Sequence, residues 1–292
     1  MSRFSTLRIG GPADYFSRVS SEDELERLLC WASEREIEIG VIGSGSNLLI
    51  ADDGFRGLAL KLTGSLTSIE RDGDHVLCGG GARLPAVASR TAQWGLAGIE
   101  FGINIPGTVG GSIKMNANAF GGELAQNLEW AEICSADGVQ RKRPKELGFG
   151  YRSSIIGSAQ VVTRASLLLS PSTPDAVSKT IHAVRQRRRD TQPLGIRTLG
   201  STFRNPDESI GQGERAAARL LAEADCQELR VGQARFSPDH ANFIQLDGPA
   251  SARDVLELLA AARRRVHQRF GVALEPEVQV LGDVDWPDSW QL

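Results

Sequence analysis

The chain predicts an α+β fold spread over more than one domain. Three observations lead there. Its 292 residues exceed what one hydrophobic core usually organises. Helical and strand periodicities alternate at both ends of the chain. The middle reads instead as short strands joined by Asp-Gly turns.

In chain order, Ser21 and Glu24 form a capping-box pattern. Leu25, Leu28, Leu29 and Ala32 then recur at helical spacing. Residues 37–42 alternate as a strand and run into Gly43-Ser44-Gly45-Ser46-Asn47. A second strand, Leu58–Leu62, follows the Asp53-Gly54 turn. From about residue 66 strands are expected at Leu66–Arg71, His75–Cys78, Leu128–Cys134 and Ala159–Leu169, with hairpin turns at Asp72-Gly73 and Asp137-Gly138. Helices are expected at Leu84–Trp94 and Pro174–Arg189. The last third again reads as α/β. Its clearest element is Ser251–Phe270, whose Val255, Leu258, Leu259, Ala262, Val266 and Phe270 share a face and which Gly271 stops. Segments 1–62, 63–172 and 173–292 follow from these changes of texture.

Composition excludes several functions. An apolar content of 41% and a charged content of 24% are those of an ordinary globular chain. A net charge of −3 argues against non-specific nucleic-acid binding. Cys30, Cys78, Cys134 and Cys226 are too far apart for a zinc site, and no metal is expected. No leader precedes them, so reduced thiols in a cytoplasm are expected. No apolar run is long enough for membrane insertion.

The most informative stretch is Ile105-Pro106-Gly107-Thr108-Val109-Gly110-Gly111, followed by Met115-Asn116-Ala117-Asn118-Ala119. Three glycines and a proline make a poor helix and a poor strand. Such a loop suits a place where backbone N–H groups approach a phosphate. The Gly43–Asn47 turn is either a tight strand-to-loop turn or a second pyrophosphate contact. It lacks the GxGxxG frame because Leu48 stands in that register. In Gly200-Ser201-Thr202-Phe203-Arg204-Asn205-Pro206 the serine has no nucleophile-elbow frame. Leu274-Glu275-Pro276-Glu277-Val278 is either a solvated strand edge or the source of a buried acid. Arg152 in Phe149–Ser154 either bridges surface acids or grips a carboxylate. The Arg185–Arg189 and Arg263–Arg265 runs read as solvated helix surface, and His240 resists classification.

Taken in order, these motifs resemble the UDP-N-acetylenolpyruvoylglucosamine reductases. The marks are Arg8-Ile9-Gly10-Gly11-Pro12-Ala13, Gly43–Asn47 with Leu48-Leu49, Pro106–Gly111, Phe149–Ser153, Gln192-Pro193-Leu194, Gly200–Pro206, His240–Phe243 and Leu274–Val278. The resemblance implies a two-part FAD-binding domain of the vanillyl-alcohol-oxidase type (segments 1–62 and 63–172) and a C-terminal α/β substrate-binding domain, with residues beyond about 276 packing back. It implies non-covalent FAD, NADPH as reductant, and UDP-N-acetylglucosamine enolpyruvate as substrate in peptidoglycan precursor synthesis, within a monomer.

By the same resemblance Arg152, Ser201 and Glu277 are catalytic. Arg152 and Glu277 stabilise charge on the substrate carboxylate, and Ser201 donates a proton. FAD contacts are implied for Gly43, Ser44, Gly45, Ser46, Asn47, Leu48, Pro106, Gly107, Thr108, Gly110, Gly111 and Asn116, and substrate contacts for Arg152, Gln192 and Asn205. The chain resembles the shorter branch, which lacks an insertion between Ser153 and the Ala159–Leu169 strand. It departs from the family pattern at Ser5, where asparagine is usual, at Ile103-Asn104, where Ala-Gly is usual, and at Asn118, Asp225 and Gln233, where glycines are usual; at 104 and 118 asparagine is expected to keep the turns because it tolerates left-handed backbone. A sugar-nucleotide-binding protein without flavin, or a flavin oxidase or dehydrogenase with another substrate, are the alternatives.

Overall fold

The computed structural model describes residues 1–193, 195–206 and 216–292. The chain forms two compact units. One comprises Asp14–Ser44 and Gly57–Asp190; the other comprises Met1–Ala13, Gly45–Arg56 and Thr191–Leu292. These units cut the chain differently from the three segments read off the sequence, because they follow packing and not changes of texture.

In the first unit an antiparallel sheet runs in the order Gly138–Lys142, Leu128–Ser135, Val161–Leu168, His75–Gly79, Ile69–Asp72. Both Asp-Gly turns close hairpins as expected: Asp72 pairs with His75, and Ser135 with Gly138. The helix Leu84–Gln93 contributes Leu84, Val87, Ala88 and Ala92 to a core shared with Val76, Val162, Ala165 and Leu167 of the sheet. A smaller sheet has Phe55–Leu62 between Ala13–Val19 and Glu38–Val41, the latter parallel to it. The helix Glu22–Ser33 buries Leu25, Leu29 and Ala32.

Three details differ from the sequence reading. Only half of the first capping box forms: the Ser21 hydroxyl accepts from the Glu24 N–H (3.3 Å), but the Glu24 carboxylate accepts from the N–H and hydroxyl of Ser20. The strand expected from Leu66 begins at Ile69, because residues Gly64–Thr67 coil into a 3-10 turn. The glycine-rich Pro106–Gly111 stretch also starts a helix, Val109–Lys114, capped by the Thr108 hydroxyl. Gly110 and Gly111 occupy its first turn, where a good cap offsets part of the glycine penalty.

The second unit is organised by the helix Ala252–Phe270. Ser251 and Asp254 form a complete capping box, and Gly271 ends the helix at φ 66°. The helix lies in one core with Leu220, Phe236 and Ile244. The strands Arg230–Val231, Ala234–Phe236 and Ile244–Leu246 pair antiparallel, so the α/β texture of this region reflects alternating elements and not a parallel sheet. Leu7, Ile9 and Leu49 complete that core, which draws the start of the chain into this unit. Strand Leu48–Ile50 pairs in parallel with Gln279–Leu281. No helix among the described residues is long and apolar enough to cross a membrane.

Candidate active site

Ser201 and Glu277 sit on neighbouring extended segments of the second unit. Thr202 accepts a hydrogen bond from the Glu277 N–H (2.8 Å), and Arg204 donates its N–H to the Glu275 carbonyl (2.9 Å). These two bonds flank a bridge between Phe203 and Pro276. Opposite Pro276, which has no N–H, Phe203 therefore turns both backbone polar groups to its other side. There the Ser201–Phe243 bridge and a Thr202 N–H bond to the Asn242 carbonyl (2.9 Å) complete a narrow three-stranded arrangement. Gly200, at φ 79°, delivers Ser201 into this strand. The proline read from the sequence as a separator of two carboxylates thus sets the register that carries Glu277.

The end of the Gly43–Asn47 turn meets this arrangement. The Asn47 amide donates to the Glu277 carbonyl (3.0 Å), and the Asn47 carbonyl accepts from the Gln279 N–H (3.0 Å). Asn47 Oδ1 is buried and has no protein partner. A Cβ at Gly200 would lie 3.8 Å from the Ser46 carbonyl. Gly45 has φ +69°, and a Cβ there would fall 1.8 Å from the Phe4 carbonyl oxygen. Leu48 accepts from the Ser5 hydroxyl (3.2 Å), so the serine that replaces a usual asparagine still ties the first residues to this strand. Among the described residues, no protein acceptor meets the N–H groups of Ser44, Gly45, Ser46 or Asn47.

In the first unit, the N–H groups of Gly107, Val109 and Gly110 donate to the carbonyls of Ile105, Ala82 and Gly80 (2.7, 2.8 and 2.7 Å). The Gly111 N–H reaches the Thr108 hydroxyl (3.4 Å). Most of the expected phosphate-seeking N–H groups are therefore engaged with protein; among the described residues the Thr108 N–H meets no protein acceptor. The loop also presents polar side chains: Ser112 Oγ and Asn116 Oδ1 are buried without partners among the described residues. A Cβ on Gly43 would meet the Thr108 hydroxyl at 2.8 Å, so the two glycine-containing loops touch here. Lys61 donates to the Gly43 carbonyl (2.7 Å), and burial beside Arg18 pulls its ammonium below the usual lysine range.

Arg152 has a left-handed backbone, φ 54°, and donates to the Asn118 carbonyl (3.1 Å). The Asn116 amide holds the Gly150 carbonyl (3.1 Å) and the Glu123 carboxylate. The loop carrying Arg152 is thus fastened to the Asn116–Asn118 stretch at two points. The left-handed residue in that stretch is Asn116, at φ 42°, and not Asn118, which lies in a short strand paired with Glu123. Asn104 donates to the Val184 carbonyl (2.9 Å), a packing contact with the Pro174–Thr191 helix. Asp225 does occupy a glycine-like conformation, φ 54°, and Arg265 and Arg269 hold it there through its carbonyl and carboxylate.

Gln192 is half-buried and its Oε1 meets no partner among the described residues, and Asn205 Oδ1 accepts from the Ala217 N–H (3.0 Å). Leu194 of the Gln192 motif lies outside the described residues. Sequence reasoning gave no role to Asn242; its signal was an amide set between apolar Ala241 and Phe243. It also left Arg263 on a solvated surface. That side chain is only 12% exposed, lies over Trp290 at 4.6 Å and donates to the Leu274 carbonyl (3.0 Å).

Comparison with known proteins fits these features into one frame. Residues 192–281 match the model of the UDP-N-acetylenolpyruvoylglucosamine reductase C-terminal domain, and residues 13–142 match that of an FAD binding domain. UDP-N-acetylenolpyruvoylglucosamine reductase 2 of Symbiobacterium thermophilum is 43% identical over 98% of this chain and 92% of its own length. The chain belongs to the UDP-N-acetylenolpyruvoylglucosamine reductase family. The reductase of Rubrobacter xylanophilus is 39% identical over 97% of the chain and 94% of its own length. The crystal structure of the reductase from Thermus caldophilus superposes with a TM-score of 0.82 at 35% identity, covering 96% of both chains.

As a family member the protein is an FAD-containing oxidoreductase of α+β fold, and its own residues fit that cofactor. In the first unit Ser112 Oγ and Asn116 Oδ1 are buried polar atoms with no protein partner among the described residues; in the second, the Gly45–Asn47 N–H groups suit an anionic group. Among the described residues no cluster suited to a metal ion occurs.

Proposed function

We propose that this protein reduces UDP-N-acetylglucosamine enolpyruvate to UDP-N-acetylmuramate at the expense of NADPH, as a cytoplasmic monomer serving peptidoglycan precursor synthesis. Family membership along nearly the whole chain, together with the pairing of the Ser201 and Glu277 strands, supports this reading most strongly. When bound, FAD supplies the hydride that reaches the substrate alkene. Gly43, Ser44, Gly45, Ser46, Asn47, Leu48, Pro106, Gly107, Thr108, Gly110, Gly111 and Asn116 would hold it.

The residues of the chain do the rest. Charge developing on the substrate carboxylate needs a cation or an acid beside it. The planar Arg152 guanidinium can grip a carboxylate with two parallel donors, and a protonated Glu277 can add another. Ser201 then hands its hydroxyl proton to the adjacent carbon, acting as an acid and not as a nucleophile. Gln192 and Asn205 offer amide groups to the sugar nucleotide, Asn205 to its diphosphate.

Replacement of Ser201 by Ala tests the assignment. Anaerobic bleaching of the flavin by NADPH should stay near the wild-type rate, while reoxidation by the enolpyruvyl substrate should slow by roughly 10² or more. Normal reoxidation in that variant would remove Ser201 from the role.

A further inference from the structure

We propose that Asn242 is a positioning residue for both Ser201 and Glu277, acting through the peptide of Phe203; the inference rests on the roles proposed above. The Asn242 side chain accepts from the Phe203 N–H (2.9 Å) and donates to the Phe203 carbonyl (2.8 Å). Its own carbonyl accepts from the Thr202 N–H (2.9 Å). One residue therefore satisfies three backbone groups of the strand that begins at Ser201, the Thr202 N–H and both polar groups of Phe203.

The arrangement has a definite cause. Phe203 is 1% exposed, and its polar groups point away from Pro276, so water cannot serve them. The Asn242 carboxamide offers a donor and an acceptor at once, doing for Phe203 what one residue of a paired antiparallel strand would do. Asn242 is itself 5% exposed and held from behind: its N–H donates to His240 Nδ1 (3.2 Å), and the Phe243 N–H closes the turn onto the His240 carbonyl (3.0 Å). Glu277 hangs on the opposite edge of the same strand through its N–H bond to Thr202. A shift of the Thr202–Phe203 peptides would move the two side chains together.

Three variants decide the matter in anaerobic half-reactions. In Asn242→Asp the ionised carboxylate keeps the acceptor but loses the donor and faces the Phe203 carbonyl. Reoxidation by UDP-N-acetylglucosamine enolpyruvate should fall by about tenfold or more, with bleaching by NADPH within about twofold of wild type. A neutral Asp carboxyl restores both hydrogen bonds. Burial beside a carbonyl raises the pKa of that carboxyl, so the rate relative to wild type should recover as pH falls and be lost as pH rises. His240, whose Nδ1 meets the residue-242 N–H, and Glu277 across the strand are present in both proteins, so each rate is read against wild type at the same pH. Asn242→Ala should slow reoxidation without any such recovery.

Wild-type reoxidation in Asn242→Asp, equal loss of both half-reactions, or a variant too unstable to hold flavin at any pH would each overturn the positioning role. Ser201→Ala separates the layers. If it is slow while Asn242→Asp is normal, the catalytic reading stands and this inference fails. If it is normal while Asn242→Asp is slow, the Ser201 assignment fails and the strand acts through Glu277.

Discussion

Two glycine-rich turns look alike in the sequence and differ in what their glycines do. In Pro106–Gly111 the glycines let a short helix start hard against the backbone of Gly80 and Ala82, and among the described residues the N–H groups of Gly107, Val109, Gly110 and Gly111 are used in doing so, leaving that of Thr108. In Gly43–Asn47 a Cβ would press on Thr108 at Gly43 and on Phe4 at Gly45, while among the described residues the N–H groups of Ser44–Asn47 meet no protein acceptor. Glycine content reports close approach. Which ligand, if any, lies on the other side depends on where the N–H groups point.

Substitutions can break this contrast, beginning with the most severe. Gly45→Ala places a Cβ against the Phe4 carbonyl in a left-handed conformation, so a loss of roughly 3–5 kcal/mol is expected in urea unfolding. A loss below about 1 kcal/mol would show that the Phe4 segment yields easily. Gly43→Ala crowds the Thr108 hydroxyl and should cost about 1–3 kcal/mol, with weaker FAD retention on dialysis. Adding Thr108→Ala to that variant should return part of the loss. Thr108→Ala alone removes only the helix cap and should lower stability by about 0.5–2 kcal/mol, with a smaller effect on flavin. Equal flavin loss in Gly43→Ala and Thr108→Ala would erase the distinction between the turns.

Locally encoded features were legible in the sequence. The Ala252–Phe270 helix announces its cap, its apolar face and its glycine stop within one window. The Asp-Gly hairpins and the order of motifs were equally plain. What escaped depends on partners distant in sequence. Asn116-Ala117-Asn118 presents two equivalent asparagines, and only the grip of Asn116 on Gly150 shows which turns left-handed. Arg263 looks solvated until Trp290, 27 residues away, lies over it. Nothing in the apolar character of Leu7 and Ile9 says which core they enter. Ser201 and Glu277 were named through resemblance, whereas the pairing that joins their segments, the Glu277 N–H to Thr202 and the Arg204 N–H to Glu275 about the Phe203–Pro276 bridge, joins residues about 75 apart in sequence.

The membership of Leu7, Ile9 and Leu49 in a core otherwise built from residues after 198 also bears on how the protein is made. A ribosome delivers those three residues first and their companions last. Residues 14–44 and 57–190 can collapse while synthesis proceeds, with the first strands of the other unit held waiting at both of its interruptions. Until the Gln279–Leu281 strand emerges, Leu48–Ile50 is an unpaired apolar edge, a natural target for a chaperone. The fold of that unit therefore closes only after residues 279–281 have been made, about 230 residues behind the strand they pair with.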